Sequence, residues 1–254
     1  MIFFNTVQFT IDSGVANDNR PKVQGGGLKE TYILEQFHFH WGSSGSKDGS
    51  EHTIDGKTYP AEIHFVHFNS KYATIGESLS HDDGLAVVGF MFEVVSAGKD
   101  VSTNYSQIVN SIGKIEYSQN KTQQWINFGS LIEKAPKEGT GSFYRYQGSL
   151  TTPPCLEIVT WTLFDAPIKV LQSTLDKFTQ AKEEMHEGHS VAMEDNFRPV
   201  QPLGQRKVTT NLVVSDSDAT SEGGSKKGSE NTANAANGSV LVLSTLLFIS
   251  SKLM

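Results

Sequence analysis

Three histidines hold the chemistry that can be read from this sequence. Gln36-Phe37-His38-Phe39-His40-Trp41 alternates polar with aromatic residues, and Ala61-Glu62-Ile63-His64-Phe65-Val66 does the same further on. Alternate side chains of a strand share a face, so Gln36, His38 and His40 point one way and Phe37, Phe39 and Trp41 the other. The second stretch puts Glu62, His64 and Val66 together. If the two strands are neighbours, the three imidazoles converge. Three neutral imidazoles with no thiolate or carboxylate among them make a Zn2+ site with an open fourth position, the catalytic rather than the structural arrangement. The plain alternative is that His-x-His on a strand is an ordinary core or surface feature. Against it, Gln36 and Glu62 each precede a histidine by two residues on the same face, where they can accept the second ring N–H and fix its tautomer. Such a polar strand face is also expensive to bury without partners or a metal.

These strands need a scaffold. The length admits one large domain or two ordinary ones. Lys plus Arg number 21 against 28 Asp plus Glu, a formal net charge of -7 that disfavours nucleic acid as a partner. No phosphate-cradling fingerprint is present, and Gly25-Gly26-Gly27 reads as a loop. The opening Met1-Ile2-Phe3-Phe4 lacks the features of a signal peptide and reads as a strand entered midway, continuing to Ile11. A strand from Thr31 to Trp41 carries the first two histidines, and the β-branched apolar run Gly84 to Val95 predicts a buried central strand. Helices are predicted from about Tyr105 to Ile115 and from Ser173, as N-cap, to about Ala181. Glu51 and His52 sit in what reads as a solvated turn. The paired prolines Pro153 and Pro154 exclude a strand centre, so Leu150 to Pro154 is predicted to be a rigid turn that holds Thr151 and Thr152, with a strand resuming at Leu156.

The motifs QFHFHWG, SEHT, AEIHFVHFN, GLAVVG, GSLTTPPCLE and DNFRPVQPL follow one another in this order. In them the chain resembles an α-class carbonic anhydrase of the extracellular, GPI-anchored type, over about residues 2 to 208. The resemblance implies an α+β, mainly β fold: a large twisted, mostly antiparallel central sheet with short peripheral helices. It implies hydration of carbon dioxide to bicarbonate and a proton by zinc-held hydroxide, with sulfonamides and anions as inhibitors. By resemblance the metal ligands are His38, His40 and His64. Thr151 would hold the hydroxide and pass its own proton to Glu51, with Thr152 beside the bicarbonate position. Gln36, Glu62 and the backbone at Asn196 would stand behind the ligands, and His52 and Tyr146 would brace the network behind Glu51. Val66, Val87, Leu150, Val159 and Trp161 resemble the apolar wall where carbon dioxide rests. The position of the family's proton-shuttling histidine falls on Asn5, which cannot titrate, so proton transfer is expected to be slow and relieved by imidazole buffer.

The family begins some tens of residues earlier, so the resemblance implies a catalytic domain, residues 1–208, that lacks its N-terminal part. It also makes Cys155, the only cysteine, the remaining half of an extracellular disulfide; a reactive thiol is the other reading, and no basic neighbour supports it. Asn104-Tyr105-Ser106 and Asn120-Lys121-Thr122 are N-glycosylation acceptors. Residues 209–238 read as a disordered polar linker. Residues 239–254 hold an apolar run too short to span a bilayer and read as a GPI-type signal, with Gly228, Ser229 or Asn231 as attachment site. This places the full-length product on the outer face of the plasma membrane, held there by a lipid anchor alone. A second function class is a non-catalytic or destabilised binding module of the same fold at the cell surface; the presence of all three histidines, Glu51 and Thr151 favours the enzyme.

Overall fold

A computed structural model describes residues 6–98, 101–102, 105, 108, 111–112, 121–126, 141–184, 190–211 and 247–253. In chain order the strands are β1 (Val7–Ile11), β2 (Lys22–Val23), β3 (Tyr32–Trp41), β4 (Ala61–Asn69), β5 (Leu85–Val94), β6 (Lys121–Ile126), β7 (Phe143–Gly148), β8 (Val159–Val170), β9 (Lys182–Glu184), β10 (Ser190–Ala192), β11 (Thr209–Thr210) and β12 (Leu247–Leu253). Among the helices whose residues are described throughout are two short ones, α1 (Ile75–Ser78) and α2 (Gln172–Leu175). Ten strands form one sheet in the order β11-β7-β8-β5-β4-β3-β1-β12-β6, with β2 on β3. Its pairings are antiparallel apart from β5 with β8, so the sheet is mixed, and the mainly β fold expected from the resemblance is the fold observed.

The sheet is built from β-branched and aromatic residues that bury both of its faces, which is why β4 is buried along its whole length. One face carries the aromatic core. Phe9 stacks on Phe37 at 4.8 Å, and Phe39 meets Phe178 at 5.0 Å. Burying each such phenyl ring contributes roughly 1.5–3 kcal/mol. A bulge between Leu34 and Gln36 switches the alternation of β3, so that Tyr32 and Leu34 join this core together with Phe37 and Phe39. From Gln36 onward the alternation is regular. His67, also buried, faces the core side of β4 and donates from Nδ1 to the Phe65 carbonyl at 2.9 Å; burial pushes its pKa down to about 4, so it is a neutral structural histidine.

Several expectations shift in detail. The strand after the paired prolines begins at Val159 and not at Leu156, because Cys155 takes a positive φ of 57° and the chain needs three more residues to rejoin the sheet. Ser173 is not a helix cap: α2 starts after Leu171 with no side-chain cap, and a separate 3-10 turn, Phe178–Gln180, completes the segment. In the other predicted helix the described residues Ile108, Ser111 and Ile112 are helical, and both isoleucines are fully buried. The segment Leu247–Leu253, from the apolar tail, runs in the sheet between β1 and β6. Asn5, Asn104, Asn120, Gly228, Ser229 and Asn231 lie outside the described residues.

Candidate metal centre

Strands β3 and β4 are adjacent and antiparallel, with His38 directly opposite His64 and His40 opposite Glu62. The face opposite the aromatic core therefore presents His38, His40 and His64 side by side, with ring centroids 4.6–5.3 Å apart. One ring nitrogen from each lies within 4.8 Å of those from the other two.

Hydrogen bonds decide which nitrogen that is. His38 Nδ1–H donates to Gln36 Oε1 at 2.8 Å and His40 Nδ1–H to the Asn196 carbonyl at 2.9 Å. His64 is anchored through its other nitrogen, Nε2–H donating to Glu62 Oε1 at 2.6 Å. Each anchored ring keeps a lone pair on its remaining nitrogen, and two of these, His40 Nε2 and His64 Nδ1, lie 3.4 and 3.8 Å from the same Glu51 oxygen, Oε2. His40 Nε2 is fully buried without a hydrogen-bond partner, as is Glu51 Oε2, 3.4 Å away. A buried nitrogen kept basic and unpaired is costly unless something positive occupies the space it faces, so the donor set fits a cation. Burial, and then the neighbouring imidazoles, hold His38 well below the ordinary histidine pKa; burial also lowers His40. Both are neutral at physiological pH, the form that binds metal.

Behind the triad stands Glu62, completely buried. Its Oε1 accepts from His64 and from His52 Nδ1–H, each at 2.6 Å, and its Oε2 accepts from the backbone N–H of Glu51 and of His52, each at 2.9 Å. Burial alone would raise this carboxyl, but the two imidazoles outweigh it and hold Glu62 well below the usual carboxylate range. Burial likewise opposes a charge on His52, and Glu62 overcomes it, so His52 is raised. His52 Nε2 is hydrogen-bonded to the Tyr146 hydroxyl at 2.6 Å. The hydrogen-bonded path from Tyr146 and His52 to Glu51 therefore passes through Glu62 and ends at the Glu51 backbone N–H, not at its carboxylate.

Glu51 is held from elsewhere: Arg198 N–H donates to its Oε1 at 2.7 Å. Thr151 lines the same cavity of about 730 Å³ as Glu51, His52 and Tyr146, but no hydrogen bond joins Thr151 to Glu51. Thr152 follows in the turn, its carbonyl accepting from Cys155 N–H at 2.9 Å. Val66, Val87, Val159 and Trp161 form one buried cluster with Leu150 packed against it, and Trp161 stands 4.7 Å from the His64 ring. All five apolar residues singled out in the sequence are thus brought together beside the triad.

Two contributors escape the strand pattern. The Asn196 side chain accepts from Trp41 N–H at 2.7 Å while its carbonyl orients His40, so one residue fixes both the end of β3 and a histidine. Arg206 lies over the Tyr146 ring at 5.5 Å. Both are in polar, proline-rich chain that offers no periodicity; the motif DNFRPVQPL contains Asn196, and Arg206 lies three residues beyond its end, with no sequence signal of its own.

A mixed sheet bearing three convergent imidazoles, each steadied by a hydrogen bond to its far nitrogen, puts the chain in the class of proteins whose donor set suits a histidine-ligated metal. Comparison with known proteins narrows that class. The eukaryotic-type carbonic anhydrase family matches residues 4–212 of the chain. Over 193 residues, 76% of this chain and 70% of each relative, the chain is 38% identical to Carbonic anhydrase 7 of mouse and to Carbonic anhydrase 7 of human. The chain belongs to the carbonic anhydrase family, whose members are zinc enzymes that interconvert carbon dioxide and bicarbonate and are inhibited by sulfonamides.

Proposed function

We propose that the chain is a catalytically competent carbonic anhydrase that holds one zinc ion through His38 Nε2, His40 Nε2 and His64 Nδ1. The observation that supports this reading is the agreement of three independent hydrogen bonds, to Gln36, Asn196 and Glu62, in leaving one basic nitrogen on each of three rings that each offer a ligand atom within 4.8 Å of the others. Zinc in such a site lowers the pKa of a coordinated water to about 7 and acts as a Lewis acid, carbonic anhydrase itself being the reference case.

The protein's own residues then have distinct tasks. Val66, Val87, Leu150, Val159 and Trp161 give an uncharged substrate an apolar surface next to the triad. Thr151, in a turn stiffened by Pro153 and Pro154, supplies a hydroxyl that would donate a hydrogen bond to Glu51 Oε2, a buried acceptor without a hydrogen-bond partner of its own, and keep its proton. Arg198 N–H keeps that carboxylate turned toward the triad, and Thr152 flanks the product position. Purified chain is expected to carry one zinc and to hydrate carbon dioxide, and a sulfonamide is expected to abolish the activity. Stoichiometric zinc without hydration, in this chain and in one extended at its N-terminus, would leave only a binding module on the same scaffold.

The domain limits and the external, lipid-anchored location belong to the same proposal. They are supported by the Ser-, Asn- and Gly-rich stretch before a short apolar terminus. Release from the cell surface by a phospholipase specific for glycosylphosphatidylinositol is the expected result; retention after treatment would remove the anchor from the proposal.

A further inference from the structure

Strand β5 is an apolar run, Leu85-Ala86-Val87-Val88-Gly89-Phe90-Met91-Phe92, buried throughout and interrupted by one glycine. Glycine in a strand interior forfeits packing and costs backbone entropy, so in a central strand it marks a close approach. The backbone at Gly89 does not require it, since its φ lies outside the left-handed region. Space is the remaining reason. Gly89 sits directly opposite His64 on β4 and opposite Leu163 on β8. A Cβ at position 89 would stand 3.0 Å from Leu163 Cδ1, 3.3 Å from Glu62 Oε1 and 3.7 Å from His64 Cδ2.

Other glycines in tight places behave differently. At Gly42, Gly49 and Gly84 an added Cβ would strike backbone carbonyl oxygens at 1.9–2.0 Å, so those positions shape turns. At Gly148 it would meet Tyr146 and Trp161. Among the described residues Gly89 is the glycine whose missing side chain leaves room for both a triad histidine and the carboxylate that orients it.

We infer that Gly89 is a positioning residue for the metal centre: its lack of a side chain sets where Glu62 Oε1 lies, and through that oxygen sets the direction of the His64 lone pair. The inference rests on the proposed zinc site and adds a determinant that touches no ligand atom. Two of the three neighbours differ in how they can yield. Leu163 Cδ1 is the end of a flexible chain and can rotate away. Glu62 Oε1 cannot, because Glu62 is tied at both oxygens by His52, His64 and two backbone N–H groups. A methyl group at 89 therefore displaces Glu62, and His64 turns with it.

The test compares the full chain with Gly89→Ala, Leu163→Ala and the double variant, reading zinc affinity by chelator competition and the visible spectrum of the Co2+-loaded protein. Gly89→Ala is expected to bind zinc roughly 10–100-fold more weakly, the usual cost of disturbing a group behind a metal ligand, and to alter the cobalt spectrum. Leu163→Ala relieves the other contact, so the double variant folds even if Gly89→Ala does not, and it is expected to keep the weakened affinity. Unchanged affinity and spectrum in Gly89→Ala, or full recovery in the double variant, would overturn the inference while tight binding by the unaltered chain upheld the site. Failure of the unaltered chain to bind zinc would overturn both.

Discussion

Replacing His40 by alanine is expected to weaken zinc binding by roughly two to four orders of magnitude and to remove carbon dioxide hydration at limiting zinc. If three ligands share a binding free energy on the order of 10–16 kcal/mol, the range for structural zinc in zinc-finger peptides, one of them represents about 3–5 kcal/mol. His40 is the sharpest choice because its two nitrogens are assigned by different observations. Nδ1–H is committed to the Asn196 carbonyl, and Nε2 is buried with no partner, 3.4 Å from a carboxylate oxygen in the same condition. Chelator competition on the purified variant, set beside the unaltered chain, reads the change directly. If affinity for zinc survives the substitution within a few-fold, His40 is an ordinary buried histidine and the triad is not a metal site.

That choice of histidine was partly legible in the sequence. Alternation from Gln36 onward fixed the common face of His38 and His40, and it failed only before Gln36, where the bulge at Glu35 moves Leu34 into the aromatic core. Local pattern carries information about faces, because the side-chain period of a strand is two, but none about partners distant in the chain. The contacts from Asn196 to Trp41 and His40, and from Arg198 to Glu51, span about 150 residues; the family motif gave only the Asn196 backbone behind the ligands, and the contacts to Trp41 and from Arg198 were not legible. Glu51 and His52 read as a solvated turn for the same reason: what buries them is Glu62, which gathers their backbone N–H groups from across the sheet. Gly89 was invisible as a determinant, since an apolar run with one glycine says nothing about which side chain the gap admits until the register with His64 is known.

Glu62 should give the largest loss of stability of any single position. Its carboxylate is fully buried and accepts four hydrogen bonds, so Glu62→Ala leaves two imidazole N–H groups and two backbone N–H groups without an acceptor. Breaking a buried, hydrogen-bonded ion pair by removing one partner costs about 3–5 kcal/mol, which for a domain of this size lowers Tm by roughly 6–20 °C. Glu62→Gln is the more informative variant, because it keeps the volume but turns an amide N–H2 toward donors. The loss should depend on pH in a definite way. A carboxyl held below its ordinary value of 4.5 stabilises the fold above that pH and ceases to do so as pH falls through its folded value. An imidazole raised above 6.5, as His52 is, contributes fully below 6.5 and stops contributing as pH rises through its folded value. The difference in unfolding free energy between the unaltered chain and Glu62→Gln, measured without metal by denaturant titration, is therefore expected to peak between pH 4.5 and 6.5 and to shrink on either side. A difference that is flat with pH would show that His52 carries no charge in the folded chain, and that Glu62 serves it as a neutral hydrogen-bond acceptor and nothing more.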